Sequence, residues 1–525
     1  MPKVLISDKI SNRAVEVFKE RGVEVDYKPG LSPDELKAII GGYDGLAIRS
    51  ATKVTPDVLE HAENLKVVGR AGIGVDNVDQ AAATAKGVVV MNTPFGNSIT
   101  TAEHAISMMM ACARQIPAAN ASTHAGKWEK SKFMGVELYG KVLGLLGAGN
   151  IGSIVADRAQ GLKMRVIAFD PFLSPERAEE MGVERVDLET LLARADFITV
   201  HTPLTEQTRN LLNAEAFAKM KTGVRIVNCA RGGIIDEEAL RDALDAGKVA
   251  GAALDVFAVE PAKENVLFGR EDVVATPHLG ASTEEAQENV AIQVAEQMAD
   301  YLLTGAVTNA LNMPSVSAED APRLKPYMKL AEQLGSFAGQ VTETGIRRAV
   351  IEFEGHVATL NTKPLVQAAI AGLLKPFSDA VNMVSAPVIA RERGIEISEV
   401  KHDRPGDYQT LIKLTVESER FTRSVSGTLF GGDKPRIVDI KGIQVEAPFS
   451  NSMLYITNQD KPGLIGALGT LFSTHGVNIA SFHLGRTEAG GDAIALVELD
   501  SDLSDAVLAE IRALPLVTQA KRVNF

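Results

Sequence analysis

The sequence predicts an α/β protein with two doubly wound parallel-sheet domains, one flavodoxin-like and one Rossmann-like, followed by an α+β domain and a ferredoxin-like domain. Three observations support this. Residues 1–310 alternate short β-branched runs with helical stretches, the pattern of parallel sheets covered by helices on both faces. A buried strand leads into a glycine-rich turn at residues 147–152. Residues 452–525 follow the order βαββαβ.

Length and composition limit the possible functions. The chain has 525 residues, enough for three or four domains at roughly 100–200 residues each. Its 45% hydrophobic and 23% charged residues exclude a wholly disordered chain. A net charge of −13 argues against nucleic acid or an anionic membrane as the main partner. No apolar run reaches the length of about 18 residues that a membrane span needs.

Cysteine usage points to the compartment. The two cysteines, Cys112 and Cys229, exclude a disulfide framework and a multi-cysteine zinc site, and we expect no metal. Low cysteine use fits a reducing environment. The N-terminus, MPKVLISDKI, has no apolar core of the kind that a signal peptide requires. We therefore expect a cytoplasmic protein.

The first 310 residues hold most of the predicted strands. Helical segments lie between them, among them residues 12–21 and 187–193. Residues 100–103 have the spacing of a capping box, which predicts the start of a long helix with residues 108–110 in the core. The predicted strands are 4–7, 46–49, 66–69, 88–92, 142–146, 166–170, 197–201, 225–229 and 273–276.

Residues 142–152, VLGLLGAGNIG, are a strand running into G-x-G-x-x-G at the start of a helix. Gly147 permits a tight turn, Gly149 lets the backbone approach a pyrophosphate, and Gly152 lets the helix pack close to the strand. The helix N-terminus favours phosphates. Asp170 ends the next strand at about the spacing, near 20 residues, of a carboxylate that binds both ribose hydroxyls. This favours NAD over NADP; the alternative is a glycine-rich turn with a surface aspartate.

Three polar residues follow strand ends further along the chain. They are Arg231 in NCARGG, Glu260 after LDVF, and His278 in TPHLGAST. Ligands of open α/β sheets bind outside the carboxyl ends of the strands. An arginine can bind a substrate carboxylate through two hydrogen bonds, and a histidine oriented by a carboxylate can exchange the hydroxyl proton. Together they predict hydride transfer to a 2-keto acid. Taken singly, Arg231 and Glu260 are also explained as a structural salt bridge, and His278 as a loop histidine with satisfied hydrogen bonds.

The second half begins with a predicted linker. Residues 313–326 contain three prolines. The region 317–447 mixes helix and strand patterns and shows no chemical motif, and we expect His402, Arg404, Arg436 and Lys441 to form a solvated basic face. In the tail we predict strands at 453–457, 478–484, 493–499 and 517–523 and helices at 464–475 and 503–513.

These motifs, in this order, resemble the D-isomer specific 2-hydroxyacid dehydrogenases, and in particular their long forms with a C-terminal regulatory domain. The resemblance covers residues 1–310. The matching segments are IRSATKVT (48–55), GRAGIGVDNVD (69–79), NTPFGNS (92–98), the glycine motif, NCARGGIIDE (228–237), ALDVFAVEP (253–261) and TPHLGAST (276–283).

The resemblance implies a role for each matching residue. Arg231 binds the substrate carboxylate, His278 is the proton donor and Glu260 is its partner. The implied cofactor residues are Gly147, Gly149, Asn150, Ile151, Gly152, Asp170, Thr202, Cys229, Ala230, Asp255 and Gly280. The implied substrate residues are Arg49, Arg70, Asn97 and Lys132.

Physical reasoning supports part of the substrate group. Arg49 and Arg70 each follow a predicted strand, and two cations there can neutralise a substrate phosphate. The alternative is that they are surface cations paired with local acids. Lys132 lies in the charged run 127–132; either it is part of a solvated surface or it reaches the site of a neighbouring subunit.

The tail resembles an ACT domain through residues 458–466 and 476–479. This resemblance implies an L-serine site at Asn458, Asp460 and Asn478, usually across a subunit interface; the alternative is a fold retained only for oligomerisation. The middle region resembles the intervening domain of the long forms. Taken together, these resemblances imply that the protein is a homo-oligomer, either a dimer or a tetramer.

We expect a substrate-binding domain (1–92 plus 288–312), an NAD-binding domain (93–287), an intervening domain (313–448) and an ACT domain (452–525). The implied reaction is NAD-dependent oxidation of 3-phospho-D-glycerate to 3-phosphooxypyruvate, the first step of the phosphorylated route to L-serine. The alternatives are a glycerate- or glyoxylate-type dehydrogenase and a non-catalytic NAD-sensing protein.

Overall fold

The computed structural model describes residues 1–378, 381–403 and 406–525, so Arg404 of the expected basic face lies outside the described residues. The chain divides into two compact units. The first consists of Met1–Asn92 and Val294–Phe525, and the second of Thr93–Gln293. The predicted boundaries of the four domains stay a prediction. Among the described residues, we find no helix with both the length and the apolar character needed to cross a bilayer.

The N-terminal sheet of the first unit has five parallel strands in the order β2-β1-β3-β4-β5. This is the flavodoxin-like doubly wound order, which confirms the predicted fold class. The sequence analysis missed β2, whose residues EVDY are half polar and lie at the sheet edge. The elements are β1 (Lys3–Ile6), α1 (Arg13–Glu20), β2 (Glu24–Tyr27), α2 (Pro33–Ile40), β3 (Gly45–Ile48), α3 (Pro56–Glu60), β4 (Val67–Arg70), α4 (Gln80–Lys86) and β5 (Val89–Met91).

The second unit holds a seven-stranded parallel sheet in the order β12-β11-β10-β9-β6-β7-β8, the Rossmann-like order that was predicted. A long helix, α12 (Glu284–Thr304), follows it in the chain. The other elements are α5 (Ser98–Arg114), α6 (Ile116–His124), β6 (Val142–Leu146), α7 (Asn150–Gly161), β7 (Arg165–Phe169), α8 (Pro175–Glu180), β8 (Glu184–Arg185), α9 (Leu188–Arg194), β9 (Phe197–Val200), α10 (Ala214–Lys219), β10 (Val224–Asn228), α11 (Glu237–Asp245), β11 (Val249–Leu254) and β12 (Val273–Ala275).

Two expectations about helix α5 are wrong. The helix begins at Ser98 after Asn97, so residues 100–103 lie inside it and form no capping box. The hydroxyl of Thr101 donates to the carbonyl oxygens of Asn97 (2.9 Å) and Gly280 (3.0 Å) instead. Residues 108 and 109 are buried as expected, but Met110 is 44% exposed because it lies on the outer face of the helix.

The middle of the chain forms a six-stranded mixed sheet in the order β14-β13-β15-β16-β17-β18. The predicted linker is too long. Helix α13 already begins at Ala321, since a proline in the first helical turn, Pro322, gives up no intrahelical hydrogen bond. The elements are α13 (Ala321–Val341), β13 (Ile346–Gly355), α14 (Lys363–Leu374), α15 (Ala386–Glu392), β14 (Glu396–His402), β15 (Thr410–Ser418), β16 (Thr422–Phe430), β17 (Lys434–Ile440) and β18 (Ile443–Pro448), with 3-10 turns at His356–Thr359 and Lys375–Phe377.

The tail is a four-stranded antiparallel sheet in the order β20-β21-β19-β22. Two helices supply apolar faces to its core. The predicted ferredoxin-like fold is confirmed. The elements are β19 (Met453–Gln459), α16 (Leu464–Thr474), β20 (Ile479–Arg486), β21 (Asp492–Leu499), α17 (Asp505–Arg512) and β22 (Val517–Val523).

Candidate active site

The glycine-rich turn after β6 forms an open cradle. Gly147 has φ 95°, a left-handed conformation that glycine adopts readily, and a Cβ there would lie 2.7 Å from the carbonyl oxygen of His201. At Gly152 a Cβ would overlap the Gly147 carbonyl oxygen, so only glycine lets α7 approach the turn. In contrast, a Cβ placed at Gly149 would meet no described atom within 4 Å apart from those of the adjacent chain segment. Of these three glycines, Gly149 is therefore the one beside which the turn leaves space for a ligand.

The N-terminus of α7 faces this space. Gly149 precedes the helix without a side-chain cap among the described residues, and Asn150 and Ile151 begin its first turn. The first N–H groups of a helix have no intrahelical partners and bind phosphates well. The predicted pyrophosphate residues therefore fit a dinucleotide at this turn.

Asp170 directly follows β7 and is tied to the cradle. One of its carboxylate oxygens accepts a hydrogen bond from the Ala148 N–H and the other from the Phe172 N–H, both at 2.8 Å. These bonds fix the carboxylate beside the glycine turn. The hydroxyl of Thr202 is buried and has no hydrogen-bond partner among the described residues. An unsatisfied buried hydroxyl is costly, which supports a ligand partner here.

Cys229 and Asp255 directly follow the neighbouring strands β10 and β11, and both are buried. Burial raises the pKa of the Cys229 thiol well above its usual value. The Asp255 carboxylate accepts hydrogen bonds from the N–H groups of Leu279 (2.7 Å) and Gly280 (2.8 Å). The predicted nicotinamide-side residues Cys229, Ala230, Asp255 and Gly280 thus lie at the carboxyl edge of one sheet.

His278 and Glu260 form a hydrogen-bonded pair at the same edge. Imidazole Nδ1 lies 2.7 Å from carboxylate Oε2, and Oε1 accepts from the Phe257 N–H at 3.0 Å. Burial alone would raise the pKa of Glu260, but these two hydrogen bonds and the charge of Arg231 outweigh it and lower the pKa. An ionised Glu260 makes Nδ1 the donor, so a neutral His278 presents Nε2 as a base.

Arg231 follows β10 and completes the predicted group of three. Its guanidinium donates to the Ala230 carbonyl oxygen at 2.7 Å, and its own carbonyl oxygen accepts from the Asn228 side chain at 2.9 Å. The segment with Glu260 is supported by Glu237, whose carboxylate accepts from the Ala258 N–H at 2.7 Å. The structure therefore brings Arg231, Glu260 and His278 to one edge of the sheet in the second unit.

The first unit brings Arg49 and Arg70 to neighbouring positions. Ile48 is paired with Arg70 across β3 and β4, and both arginines therefore lie at the carboxyl edge of the five-stranded sheet. The Arg49 N–H donates to Asp8 at 2.7 Å, and burial lowers the pKa of the Arg49 guanidinium. In the second unit, Asn97 is buried, and its side-chain oxygen has no partner among the described residues.

Lys132 does not join the group in its own chain. Its ammonium lies 2.8 Å from the carboxylate of Glu271, just before β12, whereas His278 follows that strand. The two residues therefore lie at opposite ends of β12. Its reach into a neighbouring subunit stays a prediction.

The predicted effector residues of the tail have partners of their own. The Asp460 carboxylate accepts from Arg486 at 2.8 Å and from the Gly490 N–H at 3.1 Å, which lowers its pKa. The Asn478 side chain donates to Asp500 at 2.6 Å. Asn458 is buried, and its side-chain oxygen has no partner among the described residues.

Sequence reasoning missed one polar residue beside the site, His104 on α5. Its Nε2 lies 3.2 Å from Asp255 Oδ1 and 3.3 Å from the Thr276 hydroxyl. The only sequence signal is helical spacing, because Thr101 and His104 fall on one helix face. His104, Cys229 and Asp255 offer three possible metal ligands within 4.8 Å of one another. However, His104 and Asp255 already pair with each other, and a hydrogen-bonded network accounts for them without a metal.

A histidine base beside a dinucleotide cradle is what reversible hydride transfer from an alcohol needs. The second unit thus has the architecture of a nicotinamide-dependent dehydrogenase.

Comparison with known families agrees. The NAD-binding domain of the D-isomer specific 2-hydroxyacid dehydrogenases matches residues 106–280, and this confirms the predicted cofactor. The D-3-phosphoglycerate dehydrogenase intervening domain matches residues 323–441, and the ACT domain matches residues 452–516.

Individual relatives match over the whole chain. The D-3-phosphoglycerate dehydrogenase of Synechocystis sp. is 46% identical over 527 residues, covering 100% of this chain and 95% of the relative. That of Archaeoglobus fulgidus is 44% identical and covers 100% of both. Among solved structures, D-lactate dehydrogenase from Escherichia coli is 32% identical with a TM-score of 0.53, covering 59% of this chain and 100% of that one. The chain belongs to the D-3-phosphoglycerate dehydrogenases of the D-isomer specific 2-hydroxyacid dehydrogenase family.

Proposed function

We propose that the chain catalyses the reversible NAD-dependent oxidation of 3-phospho-D-glycerate to 3-phosphooxypyruvate, the first step of the phosphorylated route to L-serine. The observation that carries the proposal is the His278–Glu260 pair, 2.7 Å apart at the edge of the nucleotide-binding sheet. The substrate is supported by relatives named D-3-phosphoglycerate dehydrogenase over the full length of the chain.

His278 carries the proton. In oxidation, its Nε2 accepts the proton of the substrate hydroxyl while the C–H bond of the same carbon breaks, and the carbon becomes a ketone. The resulting imidazolium is stabilised by the Glu260 carboxylate. In reduction, the same Nε2–H donates to the carbonyl oxygen. Because the His278 side chain is 47% exposed, its proton exchanges with solvent between turnovers.

Bound NAD⁺ supplies the acceptor for the hydride. The residues that hold the cofactor are those of the cradle and of the adjoining strand ends. Asp170 takes the adenosine ribose, and the first turn of α7 takes the pyrophosphate. Thr202, Cys229, Ala230, Asp255 and Gly280 line the nicotinamide side.

Cationic residues bind the two anionic groups of the substrate. Arg231 takes the carboxylate, as its position beside Glu260 and His278 favours. Arg49 and Arg70, with two guanidinium groups at one sheet edge, take the phosphate. Asn97 adds a buried amide, and Lys132 acts on a neighbouring subunit. Residues 1–92 with 288–312 thus serve substrate binding, and residues 93–287 serve NAD binding.

The C-terminal regions serve regulation and assembly. L-Serine is the effector of the ACT domain (452–525), with Asn458, Asp460 and Asn478 as its ligands, and the enzyme is a homo-oligomer. Since Asp460 already pairs with Arg486, the effector's amino group has to displace that guanidinium. We place the enzyme in the cytoplasm, where both free, buried cysteines stay reduced.

The test measures NADH absorbance after addition of 3-phosphooxypyruvate, glyoxylate or hydroxypyruvate, with and without L-serine. We expect rapid oxidation with the phosphorylated acid and suppression by L-serine. Arg49→Gln and Arg70→Gln raise the KM for 3-phosphooxypyruvate by at least about tenfold and leave that for glyoxylate unchanged. Lys53→Gln, at a nearby exposed cation, is the matched control.

Preference for a non-phosphorylated acid would show that the phosphate site is misassigned. NADH binding without turnover of any keto acid would favour the NAD-sensing alternative. Turnover indifferent to L-serine would limit the ACT domain to assembly.

A further inference from the structure

We propose that His104 is a positioning residue that holds the segment carrying His278 in place through the buried carboxylate of Asp255. The proposal rests on the proposed function in one respect only, namely that His278 is the proton carrier. His104 belongs to α5, outside the strand ends that supply the rest of the site.

Asp255 is the centre of a dense group of hydrogen bonds. Its side chain is fully buried and accepts from the Thr276 hydroxyl at 2.6 Å and from the N–H groups of Leu279 and Gly280 at 2.7 and 2.8 Å. His104 Nε2 on α5 lies 3.2 Å from the Asp255 carboxylate and makes a hydrogen bond of 3.3 Å with the Thr276 hydroxyl, which itself donates to that carboxylate. A buried carboxylate needs such donors because it has lost its hydration.

These bonds lie on both sides of His278. Thr276 precedes the histidine and Leu279 follows it, while the N–H of His278 donates to the Asp255 carbonyl oxygen at 2.8 Å. His278 itself has φ 56°, a left-handed conformation that costs energy for a residue with a side chain. The position of Asp255 therefore determines where the strained segment presents the imidazole.

His104 connects this group to a helix. The other donors to the Asp255 carboxylate come from residues 276–280, so on their own they would allow the carboxylate and the segment to shift together. His104 and Thr101, whose hydroxyl donates to the Gly280 carbonyl oxygen at 3.0 Å, both belong to α5. Two contacts from one helix turn restrict that shift, as precise placement of a reacting group requires.

The charges around His104 are consistent with this role. Two titratable groups, Asp255 and Cys229, have ligand atoms within 4.8 Å of a nitrogen of its ring. Burial alone would raise the pKa of Asp255, but hydrogen bonds from His104, Thr276 and Leu279 outweigh it and lower the pKa. Burial raises the pKa of Cys229, so the thiol stays neutral. Asp255 is thus the only anion of this group.

The test compares two variants of the full-length enzyme. His104→Gln keeps a donor for the Thr276 hydroxyl and the Asp255 carboxylate, whereas His104→Leu keeps similar bulk and loses that donor. Ser107→Ala, at an exposed position of the same helix, is the control. For each we measure kcat and KM with NADH and 3-phosphooxypyruvate, the melting temperature, and backbone hydrogen exchange of residues 276–283 by mass spectrometry.

We expect His104→Leu to lower kcat by about tenfold with little change in either KM, because a mispositioned base weakens the transition state more than substrate binding. Exchange at residues 276–283 rises by about tenfold in this variant, since that segment opens more readily. His104→Gln restores both values to within about twofold of the wild type. A merely structural histidine would lower the melting temperature and leave kcat per folded molecule unchanged.

Two results would overturn the proposal. One is wild-type kcat and exchange in His104→Leu; the other is an equal loss in both variants, which would exclude the hydrogen bond as the cause. A wild-type enzyme that leaves 3-phosphooxypyruvate unreduced contradicts the proposed function instead. The exchange comparison then still decides the role of His104, since it needs no substrate.

Discussion

Three glycines of the turn after β6 and of helix α7 differ in the space around them, and that difference predicts three different outcomes of alanine substitution. At Gly152 a Cβ would lie far inside 3.0 Å of the Gly147 carbonyl oxygen, a separation that Cβ atoms essentially never show. The obstacle is backbone, so the turn and α7 have to separate by several tenths of an ångström. Overpacking of this kind costs about 1–3 kcal/mol.

For a unit of this size, that cost lowers the Tm by about 2–12 °C. The displaced N–H groups are those that face the phosphates, so Gly152→Ala also weakens NADH binding. At Gly149 we expect the two effects to separate: stability is unchanged, whereas NADH binding weakens. Because the Cβ position meets no described atom within 4 Å apart from those of the adjacent chain segment, Gly149→Ala folds with an unchanged Tm, but its methyl group occupies the space for the pyrophosphate. We expect the Kd for NADH to rise by at least about tenfold.

Gly161, the last residue of α7, is the matched control. Its Cβ position is also open, and it lies a full helix away from the turn. Alanine here leaves NADH binding unchanged and stabilises the helix by about 0.5–1 kcal/mol. Melting curves without cofactor and fluorescence titrations with NADH measure both quantities. Normal NADH binding by Gly152→Ala, or a large loss of Tm in Gly149→Ala, would refute the reasoning.

Three further predictions concern charge. Glu260→Gln removes the carboxylate that stabilises the His278 imidazolium and lowers kcat by about 10²-fold with a small change in Tm; a kcat within twofold of the wild type would contradict this. Asp170→Asn keeps an acceptor for the Ala148 N–H but removes the repulsion of a 2′-phosphate, so the NADPH-to-NADH ratio of kcat/KM rises by about tenfold; an unchanged ratio would argue against its place at the ribose. Burial lowers the pKa of His201 to about 4, so the unfolded chain binds a proton that the folded enzyme does not. Stability is therefore lost as the pH falls from about 6.5 to about 4, and urea unfolding of His201→Gln shows a smaller loss over this range, whereas an equal loss would show that His201 does not cause it.

The parts of the fold that local pattern determines were predictable. Runs rich in Val, Ile and Leu end in the turns of both parallel sheets, and the predicted strand ends lie within a residue or two of those observed. Strand β11, with the sequence VAGAAL, was not predicted. Alanine and glycine have low β-propensity, and this segment is a strand because β10 and β12 pair with it on both sides.

The site residues also divide into those that local sequence pattern reveals and those that only tertiary packing reveals. Arg231 and His278 were found because each follows a predicted strand, and Glu260 because it follows the apolar segment LDVF; the carboxyl ends of parallel strands meet at one edge. His104 was missed because its role depends on which face of α5 packs against the segment after β12. That packing is set by the tertiary structure and cannot be seen in the local sequence. Lys132 was proposed for the site from the sequence, but a cation in a charged run gives no sign of its partner. In the structure that partner is Glu271.

Two carboxylates, Asp255 and Glu260, lie near His278, and the difference between their surroundings explains why only Glu260 is its partner. Asp255 is fully buried, and backbone N–H groups, a hydroxyl and His104 stabilise its ionised form and lower its pKa. Glu260 is 34% exposed and its histidine 47% exposed. A reaction that takes up or releases one proton per turnover needs a base in contact with solvent and a neighbouring carboxylate that stabilises its charged form. The buried carboxylate fixes the backbone and the exposed one supports the proton, and exchanging the two environments would disable both tasks.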